Sequence, residues 1–163
     1  MRKSAISAEA AAALIFDGAS VMIGGFLGVG SPDRLIDALV SRQARGLTII
    51  GNDTAFPTVG VGRLIEAGCV ACVRASHIGT NPTTQSLMRA GAIEVELIPQ
   101  GTLAERIRAG GAGLGGVLTP TGVGTIVAQG KQNIEIDGVT YLVEKPLRAN
   151  FALLRAHEAD YCG

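Results

Sequence analysis

Val21-Met22-Ile23-Gly24-Gly25-Phe26-Leu27-Gly28-Val29-Gly30-Ser31-Pro32 is the stretch from which the fold can be read. Val21 to Ile23 form a continuous apolar run, as expected of a strand buried on both faces. Gly24, Gly25, Gly28 and Gly30 follow; they open backbone conformations closed to other residues and let a ligand approach the main chain. Ser31 then reads as a helix N-cap, Pro32 as the first helical residue, and Asp33 as an acid favoured by the positive end of the helix dipole. A strand, a glycine turn and a capped helix together can hold an anion at the helix N-terminus. The same pattern also fits an ordinary tight turn between strand and helix, and the residues alone leave both readings open.

The flanking sequence extends this unit into an α/β pattern. Upstream, Ser7 to Phe16 reads as a helix capped by Ser7, and Asp17-Gly18 turns the chain into the strand. Downstream, Leu35, Ile36, Leu39 and Val40 lie on one helical stripe, Gly46 closes it, and Leu47 to Ile50 form a second strand. Gly51 to Thr54 reads as a turn. Arg63 to Ala67 is expected to be a short helix, Cys69 to Val73 a strand, Ala75 to Asn81 a loop, and Pro82 to Ala90 a helix capped by Asn81. Ile93, Val95 and Leu97 alternate with Glu94 and Glu96, the pattern of a half-exposed strand near a sheet edge. Thr102 to Ala109 reads as a helix, and the glycine-rich runs 110–116 and 119–125 as loop. Asn133 to Ile136, Asp137-Gly138 and Val139 to Val143 carry a β-hairpin signal, and Phe151 to Leu154 a last strand. The expected fold is an open, mostly parallel sheet flanked by helices, with a small β-hairpin excursion near 133–143, in a single domain over 1–163.

Composition narrows the function classes. The 163 residues are 47% hydrophobic and 17% charged, with no tryptophan and 23 glycines, so the core is aliphatic. Fourteen basic and fourteen acidic residues cancel, which gives no charge-based reason to expect nucleic acid or a lipid surface as partner. No apolar run approaches the ~20 residues of a membrane span, and no signal-peptide core is seen, so a cytoplasmic location is expected. Cys69 and Cys72 fit C-x-x-C, but residues three apart on a strand point to opposite faces. They read as buried small hydrophobes. A metal site would need His77, His157 or the distant Cys162, and none is expected.

Several motifs fail on spacing or context. Gly28 and Gly30 would need a third glycine at Asp33 to make a dinucleotide fingerprint. Gly111, Gly113 and Gly116 meet that spacing but follow a helix instead of a strand. Gly124 to Lys131 lacks both the Walker spacing and its hydroxyl residue, and no G-x-S-x-G elbow exists. Glu94 and Glu96 share a strand face, which fits a solvated edge more simply than an acid/base pair. Asn52 and Gln100 remain as candidates because each is expected at a strand end, where open parallel sheets collect ligand contacts.

Several blocks taken together resemble the alpha subunit of a family I (3-oxoacid or acetate–acetoacetate type) coenzyme A transferase. Asp17-Gly18, Val21 to Phe26, Gly30 and Pro32 follow the family's first signature. Glu94 to Gly113, containing Ile98-Pro99-Gln100-Gly101-Thr102-Leu103-Ala104-Glu105-Arg106, resembles the second, and Thr119 to Thr125 follows as expected. Asn52 to Phe56 and Ala75 to Pro82 are most similar to the bacterial acetate/acetoacetate branch, with the succinyl-CoA:3-oxoacid branch as the alternative.

The resemblance implies a subunit that moves coenzyme A from a short-chain acyl-CoA to a carboxylate through a glutamyl-CoA thioester. The nucleophilic glutamate is expected on a beta subunit, so no catalytic residue is assigned to this chain. It implies coenzyme A binding along Gly24, Gly25, Phe26, Leu27, Gly28, Val29 and Gly30, with Asn52 and Gln100 lining the active site. No cofactor beyond coenzyme A as substrate is expected. Family alpha chains run several tens of residues further, so this chain is expected to lack that portion. A non-catalytic nucleotide- or phosphate-binding module is the competing class.

Overall fold

The computed structural model describes residues 4–160. They form two compact units, one from residues up to Glu96 together with those from Ala149 onward, the other from Leu97 to Arg148.

The first unit is built on a five-stranded sheet. Its elements are α1 (Ala8–Ala13), β1 (Ser20–Ile23), α2 (Asp33–Ser41), β2 (Leu47–Asp53), α3 (Gly62–Glu66), β3 (Val70–His77), α4 (Pro82–Arg89), β4 (Glu94–Leu97, the last residue falling just past the unit's boundary) and β8 (Phe151–Leu153). The strand order is β4-β3-β2-β1-β8, and β1 pairs in parallel with both β2 and β8. Strands β2 and β3 are also parallel, with Asp53 opposite His77 at their carboxyl ends. Val21, Ile23, Ile36, Leu39, Leu47, Ile49, Leu64 and Val73 are buried in one core that also takes in Leu153. Met22 is only half-buried, so β1 is less closed on one face than its apolar run implies.

Local chemistry accounts for the helix boundaries. Ser7 caps α1 by accepting from the Ala10 N–H at 3.1 Å, and Asn81 caps α4 by accepting from Thr84 at 3.1 Å. Asn81 is fully buried and its amide also donates to the Thr54 carbonyl at 2.9 Å, so the cap doubles as a tie to the segment after β2. Helix α1 ends at Ala13, before the expected Phe16, and α2 ends at Ser41, before Gly46. Residues 42–46 turn instead through left-handed Gln43 and Gly46. Two strands run longer than expected: β2 includes Gly51, Asn52 and Asp53, and β3 includes Ala75, Ser76 and His77. Residues that favour turns were drawn into the ladder because a parallel partner lay alongside.

The second unit is a three-stranded antiparallel sheet, β5 (Val117–Thr119), β6 (Asn133–Ile136) and β7 (Val139–Glu144), with helix α5 (Gln100–Ala112). The order β5-β7-β6 makes the expected hairpin part of a larger sheet. Asp137 and Gly138 both have positive φ, 51° and 77°, which is the two-residue turn that matches strand twist. The glycine-rich run is not all loop: Gly110 and Gly111 lie inside α5, and Gly113 closes it in the left-handed conformation. A β-carbon on Gly110 would stand 2.3 Å from the Leu147 carbonyl oxygen, so glycine is present there for close packing. Strand β5 lies between the two runs expected to be loop and takes Thr119 from the second, its three residues paired with β7.

Candidate functional site

Because β1, β2, β3 and β8 run parallel, their carboxyl ends lie along one edge of the sheet. Gly24 to Gly30 leaves β1 at that edge, Thr54 onward leaves β2, and Ile78 onward leaves β3. Open parallel sheets bind ligands at this edge.

The glycine segment is a miniature hairpin. Phe26 and Val29 exchange both main-chain hydrogen bonds at 2.9 Å, and the two residues between them, Leu27 and Gly28, have φ of 50° and 89°. This is again a turn with two left-handed residues. Its first residue is anchored by the Gly24 N–H donating to the Leu153 carbonyl of β8 at 3.0 Å. Phe26 is 64% exposed and Val29 79%, so the tip presents two apolar side chains to solvent. Among the described residues, the N–H groups of Gly25, Gly28 and Gly30 donate to no protein acceptor. Gly30 is exposed, with no atom within 4 Å of where its β-carbon would be.

Residues at the end of β2 and just after it hold the hairpin in place. Asn52 donates its side-chain amide to the Gly25 carbonyl at 2.7 Å. Asp53, 7% exposed, accepts from the Leu27 N–H at 3.0 Å and from the Ala55 N–H at 2.7 Å. Val59 backs Gly28 so closely that a β-carbon there would sit 2.1 Å from the Val59 Cγ1. Ser31 fills the space behind, its Oγ 2.6 Å from a β-carbon built on Gly25 and 2.7 Å from one on Gly60.

That placement corrects the expected cap. Ser31 is buried and packs under the hairpin; Pro32 takes the N-cap position of α2, and no side chain caps that helix. The end of α2 is instead occupied by its own acid. Asp33 pairs with Arg63 at 2.7 Å and lies 3.7 Å from Arg155, while Arg63 also pairs with Asp37. Pro32, Asp33, Arg34, Leu35, Leu154, Arg155 and Ala156 line a cleft of about 570 Å³ beside this end.

The sequence candidates thus divide. Gly24 to Gly30 and Asn52 come together in the first unit. Gln100 belongs to the second, where it is exposed and is the first residue of α5 instead of a loop residue. Sequence reasoning missed Asp53. The signal was an acid within Gly51-Asn52-Asp53-Thr54, read there as a turn, whose burial comes only with the tertiary fold.

Glu94 and Glu96 sit on the edge strand β4, Glu94 exposed and Glu96 3.0 Å from Arg74. Among the described residues no three His, Cys, Asp or Glu cluster as metal ligands would, and no helix is long and apolar enough to cross a membrane. Cys69 and Cys72 are free thiols, while Cys162 lies outside the described residues. Burial pushes both thiols above the usual range; Arg42 partly offsets it at Cys69, and Glu94 adds to it at Cys72. Both are therefore expected to alkylate at neutral pH on the order of tenfold slower in the folded chain than in urea. Peptide mapping after a timed iodoacetamide pulse reads this, and equal folded and unfolded rates would contradict it.

A parallel sheet thus carries a glycine hairpin with unpaired N–H donors at its carboxyl edge, and the whole sequence gives this arrangement a family. Residues 5–163 match the coenzyme A transferase family, and the chain belongs to it. It is 53% identical over 163 residues to the acetate CoA-transferase subunit alpha of Escherichia coli (strain K12), covering all of this chain and 74% of that one. It is 52% identical over 147 residues to the acetoacetyl-CoA:acetate/butyrate CoA transferase alpha subunit of Clostridium acetobutylicum, covering 90% of this chain and 67% of the other. The acyl-CoA transferase YdiF of Escherichia coli O157:H7, crystallised as a thioester complex with CoA, superposes with a TM-score of 0.82 at 27% identity. That match covers 95% of this chain, which spans about a third (35%) of the YdiF chain.

Proposed function

We propose that this chain is the alpha subunit of a short-chain acyl-CoA:carboxylate CoA-transferase of the acetate/acetoacetate/butyrate type, working with a beta subunit. The observation that carries the reading is the hairpin of Gly24 to Gly30, with three unpaired N–H donors at the sheet's carboxyl edge, on a chain matched end to end by alpha subunits.

In this reading the partner's glutamate carboxylate attacks the acyl-CoA carbonyl. The C–S bond breaks, and an acyl-glutamyl anhydride and CoA thiolate form. The thiolate attacks the glutamyl carbonyl of the anhydride, expelling the acyl group as its carboxylate and leaving a glutamyl-CoA thioester. An incoming carboxylate reverses these steps and takes up the CoA. The present chain supplies neutral main-chain donors at the hairpin, which bind the coenzyme without adding charge. Donors fixed in advance stabilise developing negative charge without reorganising. Gln100, the first residue of α5, is kept in this reading as the resemblance implies it, a residue lining the active site.

Co-expression with a beta chain is the test. The complex is expected to move CoA from acetyl-CoA to acetoacetate or butyrate with ping-pong kinetics, and the chain alone is expected to be inactive. Full turnover by the isolated chain would overturn the subunit reading. Tight binding of ATP or NAD by the isolated chain, without binding of CoA, would favour a nucleotide module.

A further inference from the structure

Two non-glycine residues in the first unit hold left-handed backbone at this edge: Leu27 in the hairpin, with φ of 50°, and Ala55 after β2, with φ of 52°. A left-handed residue with a β-carbon is strained, and persists only where its surroundings over-determine it. Both are held by the same group. Asp53 Oδ2 accepts from the Leu27 N–H at 3.0 Å, and Asp53 Oδ1 accepts from the Ala55 N–H at 2.7 Å. Asp53 is the last residue of β2, in register with β3, so the rigid centre of the sheet fixes where its carboxylate stands. Its neighbour Asn52 secures the start of the same hairpin by donating to the Gly25 carbonyl.

We infer that Asp53 is a positioning residue: its buried carboxylate clasps Leu27 and Ala55 in their strained conformations and so presets the hairpin that receives the coenzyme A half of the substrate. A carboxylate can do this where an amide cannot, because both of its oxygens accept and hydrogen bonds to a charged acceptor are the stronger kind. The inference rests on the proposed role of Gly24 to Gly30. It goes beyond that role by assigning the loop's shape to a residue outside the loop.

The test uses the complex with the beta subunit. Asp53→Asn replaces one acceptor by a donor facing an N–H. It is expected to lower kcat/KM for the acyl-CoA between about 10- and 100-fold, the scale of misplaced binding groups. The value for the carboxylate, which reports the half-reaction in which CoA is already covalently held, should move less than about threefold. Glycine adopts positive φ without strain. In a Leu27→Gly/Ala55→Gly background the Asp53→Asn loss is therefore expected to shrink to under about threefold. A merely structural acid would not give that split between half-reactions.

If Asp53→Asn alone fails to fold, the double-glycine background must restore both folding and activity, and failure there overturns the clasp. So does an undiminished loss in that background, or no loss in the parent. Gly30→Ala separates the loop's role from the clasp, since its methyl meets no protein atom within 4 Å. Thermal unfolding of the same variant measures, apart from binding, the strain that a β-carbon brings at φ of 77°. If Gly30→Ala lowers the acyl-CoA value and Asp53→Asn does not, only the clasp is wrong. If Gly30→Ala leaves that value unchanged, the loop's role falls and the clasp falls with it.

Discussion

Glu144→Ala is expected to cost about 3 kcal/mol, because it removes the buried acid that two part-buried cations, Lys131 and Arg106, both face. Glu144 closes β7 and is 2% exposed. Its Oε1 lies 2.5 Å from Lys131 Nζ and its Oε2 3.8 Å from Arg106 Nη1. Arg106 comes from α5 and is itself 11% exposed, and its Nε donates to the Lys145 carbonyl at 2.9 Å. The acid therefore joins the helix to the sheet of the Leu97–Arg148 unit. Replacing Glu144 and Lys131 together by methionine should cost much less than Glu144→Ala, since a buried ion pair roughly balances its own desolvation. Thermal unfolding of the single and double variants checks both expectations. A loss below about 1 kcal/mol in Glu144→Ala would mean that the site is wetter than its burial implies.

Gly28→Val is expected to damage both the site and its support. The residue has φ of 89°, and the new β-carbon would collide with the Val59 Cγ1 at 2.1 Å. Left-handed strain and overpacking together predict a loss of about 2–4 kcal/mol. The transition should fall by roughly 5–12 °C at this chain length. The hairpin must then move, and acyl-CoA turnover is expected to fall by on the order of 100-fold. Val59→Ala in the same chain removes the collision but not the backbone strain, so it should recover part of the stability. No recovery would place the whole effect in φ. A simple plug in a ligand's path, which the glycine's position in sequence would lead one to expect, predicts lost binding with stability intact.

How far the sequence could be read follows from which forces act locally. Strand β1, its glycine turn and the following helix were legible because an apolar run, positive-φ residues and a first-turn acid are properties of adjacent residues. Asp137-Gly138 announced its hairpin for the same reason, and Ser7 and Asn81 their caps. What failed depended on distant neighbours. Gly110 and Gly111 read as loop because glycine is a poor helix former, yet α5 runs through them, and Gly110 sits where the Leu147 carbonyl leaves no room for a side chain. Ser31 had the chemistry of a cap, but burial beneath Gly25 and Gly60 used it differently. Asn52 was found by its place at a strand end. Asp53, one residue on, was not, because its two hydrogen bonds reach Leu27 and Ala55, and only the first of these is remote in sequence.

The parallel pairing of β8 with β1 also bears on how the chain is made. A ribosome releases β1 more than a hundred residues before Phe151–Leu153, so one edge of β1 is exposed while the residues between are being synthesised. Closing so long a loop is slow compared with forming neighbouring hairpins. The first residue of the glycine hairpin gains its anchor only then, because the Gly24 N–H waits for the Leu153 carbonyl. Nascent chains should therefore depend on chaperones or early capture of that open edge, and the corner that carries the glycine hairpin should be among the last parts to mature.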